Sequence, residues 1–435
     1  MKKLILLSII SVGLLGCEDY LEQQPVDLIT SDQLIIDGES AATAVLGLYS
    51  GLQGIYDLEY VAHPGVLSDE LTHSGSFPTV AEMDQNEIIS TNVTADNTWF
   101  QAYSTIFRAN TLLENFEANP ELPGLTDALR AQYAAEARFV RALCYFNLTA
   151  LYGDVPLTET ADIVTNQSVS RTGRADVYNY VISEAAAAAS ALSGIDFGTE
   201  GQFRASEWAA KALGARANLY VGNTSAAATL ADDIITNGGY TLEPNYADIF
   251  VPSSTSDEII FSIFFSIQDQ TDYPFQFLPD GRFEYAVGPA LAASGDSRVL
   301  AELNGNDPLG RSYVNKYTDL ANQSDHTIVF RLAELYLIRA EGAVGTAAAV
   351  TDLNTLRTRA GMPAISSANI NTILEERFVE LSFEGHRWYD LIRTGQVDAV
   401  MQGVNPSTWQ PSDALLPIPQ REVLLNANLT QNTGY

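Results

Sequence analysis

A mostly α-helical chain, built of stacked helix hairpins with irregular loop insertions and minor β structure, is the architecture this sequence predicts. Three observations lead there. Most segments with clear periodicity place apolar residues at helical spacing. In two places, Ser206–Asn237 and Phe330–Ala360, two such segments are joined by a glycine-containing turn and carry alanines where helices would approach closely. Such hairpins cannot bury their own faces and therefore stack, which is the physics of tetratricopeptide-like repeats. Finally, two aromatic-bearing stretches, about 58–97 and 256–290, break the helical pattern. With 435 residues, 46% hydrophobic and a mean hydropathy of zero, the chain can bury a large core.

The chain begins with Met1-Lys2-Lys3 and an apolar run from Leu4 to Leu15. That run is too short to cross a hydrocarbon core of roughly 30 Å as a helix, and it reads as a secretory signal. Its end, Leu14-Leu15-Gly16-Cys17, resembles a bacterial lipobox, in which cleavage leaves the cysteine acylated and membrane-anchored. An ordinary signal with an incidental cysteine is the plainer alternative. We therefore expect a leader over 1–16, a lipidated tether over 17–40 and a single domain over 41–435.

The net charge is −31, and −33 once Lys2 and Lys3 are removed with the leader. This field repels phosphate backbones and argues against nucleic acid as a partner. Cys144, the only cysteine besides Cys17, lies in an apolar helical stretch and reads as a buried thiol.

Taken in order, Glu39–Tyr56 opens with acids and places Ala42, Val45, Leu46 and Tyr49 at helical spacing. Leu58–Asn97 reads as loop-rich. Thr98–Glu117 returns to the helical period with Phe100, Tyr103, Ile106 and Phe107. Thr126-Asp127 caps a helix running to Tyr152, where Gly153 and Pro156 stop it. Arg174–Leu192 is an alanine-rich helix, followed by the pairs Ser206–Tyr220 with Ser225–Asn237 and Phe330–Gly342 with Ala347–Ala360. Ile370 to about Arg393 reads as one more helix. "DEIIFSIFFSI" reads as a strand opening the second irregular segment.

No H-E-x-x-H, G-x-S-x-G, P-loop or G-x-G-x-x-G occurs. Among 54 acidic residues some pair will fall within glycosidase distance by chance. Asp69-Glu70 is the most tempting, yet bracing a neighbouring helix explains it as well. Arg387, Asp390 and Arg393 are spaced for ion pairs along one helix face, and Glu334 and Glu341 suit buried arginines. Asn304–Asp307 is oxygen-rich without the spacing of a calcium loop. No enzymatic activity, cofactor or metal is expected.

Several ordered segments resemble the SusD/RagB family: "LSDE" (Leu67–Glu70), "IFRANTLLE" (Ile106–Glu114), "EARFVRALCYFNLTALYGDVPL" (Glu136–Leu157), "FRLAELYLIRAEG" (Phe330–Gly342), "ERFVELSFEGHRWYDLIRTG" (Glu376–Gly395) and the closing "LLPIPQREVLLNANLTQNTGY". The resemblance implies a nutrient-binding lipoprotein of the Bacteroidetes outer membrane, facing outward and most often binding glycans. It implies a SusC-like TonB-dependent transporter as partner, on which the protein sits as a lid. The acids Glu18-Asp19 after Cys17 resemble a surface-export signal. The chain is short for the family, so its loops are trimmed. A peptide or other non-glycan nutrient, or a scaffold without ligand, remains an alternative.

A sugar ring needs an aromatic platform for its C–H face and polar groups for its hydroxyl rim, both on exposed loops. The candidates are His73, Phe77 and Trp99 from the first irregular stretch and Tyr273, Phe275, Phe277, Arg282 and Tyr285 from the second, with Trp409 weaker. If extended, 273–277 would put its three rings on one face. Packing against the helices is the alternative for any single ring, and Trp99 fits a helix core equally well.

Overall fold

The computed structural model describes residues 35–252, 255–299 and 304–435. Cys17, the leader and most of the tether lie outside these residues. At the start of helix α1 (Gly38–Tyr56) the Asp37 carboxylate accepts from Ser40 N at 2.8 Å, and Ser40 Oγ accepts from Asp37 N at 3.0 Å. This reciprocal cap satisfies donors the helix itself leaves free.

Next come α2 (Leu58–Leu67), strand β1 (Leu71–His73), α3 (Pro78–Asp84) and α4 (Val93–Ala118). The expectation that Leu58–Asn97 is loop-rich is therefore corrected. From Tyr60 to Leu67 every side chain of α2 is buried. A helix buried all round has no polar face to set a period, and Pro64-Gly65 reads locally as a breaker. Similarly, α4 begins at Val93, where Asn92 Oδ1 accepts from Ala95 N at 3.0 Å.

Thr126 caps α5 (Asp127–Tyr152) through Leu129 N at 3.2 Å, as the sequence predicts. Strands β2 (Val155–Pro156) and β3 (Arg171–Thr172) pair, and α6 (Arg174–Ala191), α7 (Glu207–Tyr220) and α8 (Thr224–Asn237) follow. Strand β4 (Ile259–Ile263), the short α9 (Tyr273–Phe277), β5 (Tyr285–Val287), the hairpin β6 (Asn304–Asn306) with β7 (Ser312–Val314), and β8 (Thr327–Arg331) form the β-containing insertion. The chain then returns to helices α10 (Leu332–Gly342), α11 (Ala347–Arg359), α12 (Ile370–Glu380) and α13 (Arg387–Arg393).

The helices stack in succession: α1 on α4, then α5, α6, α7 and α8, then α10 and α11. Where α8 meets α10, a Cβ at Gly342 would lie 2.5 Å from Ala228 Cβ and 2.8 Å from Thr224 O, so only glycine allows this approach. The architecture is the mostly helical, repeat-like scaffold with minor β that the sequence predicts. Cys144 sits in its core as a free thiol, and burial pushes its pKa up. Among the described residues no helix is long and apolar enough to cross a membrane.

The single helix expected over Ile370–Arg393 is broken between α12 and α13. Phe383 takes φ 59°, its N–H donates to Glu70 Oε1 at 3.1 Å, and its carbonyl accepts from Tyr317 OH at 2.8 Å. Lys316 Nζ donates to Ser382 O at 2.6 Å. Long-range partners thus replace the helical bonds at the break.

This break also assembles a buried charge network. Arg331 Nε donates to Glu384 at 2.7 Å, and its Nη1 donates to Glu258 at 2.8 Å and Glu380 at 2.7 Å. Arg298 and Arg359 also pair with Glu380. Glu334 pairs with Arg216, Glu341 with Arg393, and Glu184 with both Arg138 and Arg141.

Candidate functional site

Strands β1 and β5 pair antiparallel, Leu71 opposite Val287, Thr72 opposite Ala286 and His73 opposite Tyr285. This short ladder joins the two irregular stretches, which are about two hundred positions apart in sequence. Just beyond it, Ser74 N donates to Glu284 O at 2.8 Å and Ser74 Oγ to Phe283 O at 2.9 Å.

The Glu284 side chain holds the junction together. It accepts from Ser76 N at 2.8 Å, Phe77 N at 3.1 Å and Arg282 Nε at 2.7 Å, and lies 3.2 Å from His73 Nε2. Burial works to raise the Glu284 pKa. Arg282, the two backbone N–H groups and His73 outweigh it and hold the carboxyl below its ordinary value. A Cβ at Gly75 would lie 2.1 Å from Glu284 Oε2, so a glycine lets the loop close over the carboxylate.

The Arg282 guanidinium stands over the Phe77 ring at 3.7 Å from its centroid, within cation–π range. Arg282 N donates to Phe275 O at 2.6 Å, which places Phe275, 40% exposed, beside it. A second pair adjoins: Arg311 lies over Phe283 at 4.6 Å, and Phe283 is edge-on to Tyr313. Phe283 itself takes φ 54°, a left-handed conformation unfavourable for a bulky residue, maintained by the bonds on either side.

Four predicted residues, His73, Phe77, Phe275 and Arg282, thus come together at one surface. The other four do not offer open platforms. Residues 273–277 form the short helix α9, not an extended segment, so Tyr273 and Phe277 share one face and Phe275 turns outward. Tyr273 stacks on Tyr317 at 4.3 Å, Phe277 on Tyr273 at 5.8 Å, and Tyr285 meets Phe277 edge-on at 5.6 Å. These three rings are buried and brace the surface from beneath. Trp99 packs between Tyr103 at 4.8 Å and Tyr152 at 5.1 Å, buried in the wall of a separate depression shared with Phe100 and Phe107. Trp409 is buried against Trp388.

Sequence reasoning missed Glu284 and Ser76. A signal for the first was present, because Arg282 and Glu284 alternate and so share a face of an extended segment. Asp69 and Glu70, the tempting acid pair, diverge. Asp69 takes both prongs of Arg387 at 2.7 and 2.8 Å, and Glu70 turns to Phe383 N. Arg387 therefore does not pair with Asp390, which instead joins Arg377 and Arg393. In the β6–β7 turn, Asp307 is taken by Leu309 N, Arg311 N and Arg311 Nε. The surface can present ring faces to an apolar ring and guanidinium donors to hydroxyl or carboxylate oxygens.

Two family models match the chain: one described as the SusD family over residues 304–435, another described as starch-binding associating with outer membrane over residues 21–219. A SusD-like protein of Formosa agariphila is 28% identical, with 97% of each chain aligned. The fold matches that of a laminarin-binding SusD-like protein with a TM-score of 0.84 and 24% identity, covering 92% of this chain and 100% of the other. It also matches surface glycan-binding protein A from Bacteroides thetaiotaomicron, solved with laminarihexaose, with a TM-score of 0.79 and 22% identity over 91% and 99% of the chains. The chain belongs to the SusD/RagB family.

Proposed function

We propose that this SusD/RagB-family protein captures a glycan at the outer surface of the outer membrane and delivers it to a SusC-like TonB-dependent transporter, without chemistry of its own. The supporting observation is the junction at Glu284, which brings His73, Phe77, Phe275 and Arg282 together from both irregular stretches, with Phe275 and Arg282 exposed and His73 and Phe77 half-buried. Laminarin- and laminarihexaose-binding proteins of the same fold support the ligand class. The family model described as associating with the outer membrane supports the location. Phe275 and Phe77 supply ring surface, while Arg282 and His73 reach hydroxyls around it. Acylated Cys17 anchors the chain, with Glu18-Asp19 directing it outward.

The test is calorimetry and affinity electrophoresis of the mature chain against laminarin, soluble starch and a wider glycan panel, with Phe275→Ala and Arg282→Ala alongside. Weaker binding in both variants supports the proposal; binding to no glycan overturns it. Cys17→Ser is expected to leave the membrane fraction, and pull-down of the wild type to recover the transporter.

A second reading, a peptide ligand, is favoured by one feature of the same surface. Few of its rings are open, whereas Arg282 and Arg311, though paired with Glu284 and Asp307, are 40% and 44% exposed and still reach a ligand carboxylate. Retention of a peptide mixture in place of every glycan would select it.

A further inference from the structure

A cleft sharing no residue with the surface above opens between α1, the 3-10 turn Gly198–Phe203 and the end of β4, with a volume of about 460 Å³. That size lies within the range of small-ligand sites. Its apolar side is a corner of three rings. Phe264, 48% exposed, lies edge-on to Phe203 at 5.2 Å, and both rest against His326 at 5.1 and 5.0 Å. His326 Nδ1 accepts from Phe265 N at 3.1 Å, and Gln53 Nε2 donates to Phe264 O at 2.8 Å, so this corner is held from both sides.

Behind the rings, Ser262, 1% exposed, forms part of the wall, with its Oγ buried and without a hydrogen-bond partner. The β4–β8 ladder slips at Phe261–Ser262. Such bulges re-aim side chains and recur beside functional sites.

The charges specify the ligand further. Arg204 forms part of the wall but gives Nε and Nη2 to Glu136, each at 2.8 Å, and so is already neutralised. Glu200, 67% exposed and within 3.5 Å of Arg204 Nη1, and Asp269 lie at the rim, on a chain of net charge −31. An anion is repelled. An uncharged ring with an apolar face and hydroxyl edges fits both sides.

We infer that this cleft is a second saccharide-binding site: Phe264 and Phe203 take the C–H face of a sugar ring, and Glu200 and Asp269 take its hydroxyls. The ligand class rests on the capture function proposed above, whereas the site rests on the cleft itself. Two sites on one chain would raise its apparent affinity for a polymer far above that for a short oligosaccharide.

The test uses the mature chain with laminaritriose and maltotriose in calorimetry, and laminarin and soluble starch in affinity electrophoresis. Phe264→Ala and Asp269→Ala are compared with Phe275→Ala and Arg282→Ala. Because Phe264 and Asp269 are both exposed, both variants should fold. The expected result is two trisaccharides per chain, falling to one in Phe264→Ala, with polymer binding weakened about tenfold. Unchanged stoichiometry and affinity in Phe264→Ala and Asp269→Ala, with Phe275→Ala and Arg282→Ala impaired, overturns the second site and leaves the capture proposal standing. The opposite pattern keeps the cleft and overturns the surface at Glu284. A wild type that binds none of the four probes overturns the saccharide assignment of both.

Discussion

Replacing Glu284 by alanine should release the loop that carries Phe77 while leaving the helical scaffold folded. In the native structure the carboxylate accepts from Ser76 N and Phe77 N. Hydrogen bonds to a charged acceptor contribute about 1.5–3 kcal/mol each. Ser76 is exposed, so water can recover part of its share. The Arg282 pair adds under about 1 kcal/mol, because that side chain is 40% exposed and its charge is screened. The sum is about 3 kcal/mol of local stability, or about a hundredfold in hydrogen-exchange protection. Hydrogen exchange read by mass spectrometry over residues 71–84 should show that loss, with α5 and α7 unchanged. Glu284→Gln retains an acceptor without the charge and should fall between. Protection within about threefold of wild type would refute this account of the junction. The pH dependence has a definite sign. The folded pKa of Glu284 lies below its ordinary 4.5, so the carboxylate's contribution is present above 4.5 and is lost as pH falls through the folded value. Acidification should therefore open the loop in wild type, after correction for intrinsic exchange, and not in Glu284→Ala.

Arg331→Met should lower stability by about 3–5 kcal/mol in urea unfolding, because it leaves Glu258, Glu380 and Glu384 buried with fewer cations; a loss below about 1 kcal/mol would contradict the network's role. Tyr273→Ala should cost about 3–5 kcal/mol by opening a cavity against Tyr317, whereas Phe275→Ala should leave the melting temperature nearly unchanged and weaken ligand binding. Burial raises Glu70 to about 8, so wild type should lose stability as pH rises from 4.5 toward 8. Glu70→Gln, which keeps an acceptor for Phe383 N–H, should show a flatter urea midpoint over that interval.

α1, α6 and α8 keep a solvent face and were readable from their period, whereas α5 and α7, buried over most of their length, were readable from their caps at Thr126 and Ser206 and the glycine turns after them. All five begin and end within a residue or two of where spacing and caps put them. The helix α2 was not readable, since its buried run has no capping side chain and contains Pro64-Gly65, which reads as a breaker, and neither was the break after Glu380, whose backbone partners Glu70, Tyr317 and Lys316 are remote in sequence. At the candidate site, composition pointed to the correct two stretches but could not sort their rings. Strand spacing would put Tyr273, Phe275 and Phe277 together. The single turn of helix that forms there turns Phe275 out and the other two in.

By itself, then, the sequence determined the helical repeat scaffold and the two segments that interrupt it, because hydrophobic period, caps and turns act over a few residues. Tertiary structure alone decided which of His73, Phe77, Trp99, Tyr273, Phe275, Phe277, Arg282 and Tyr285 meet solvent. That outcome depends on a three-residue ladder and one buried carboxylate joining chain segments some two hundred positions apart. It also produced the cleft at Ser262, where a slip between two strands leaves a hydroxyl without a partner, a feature with no trace in local composition.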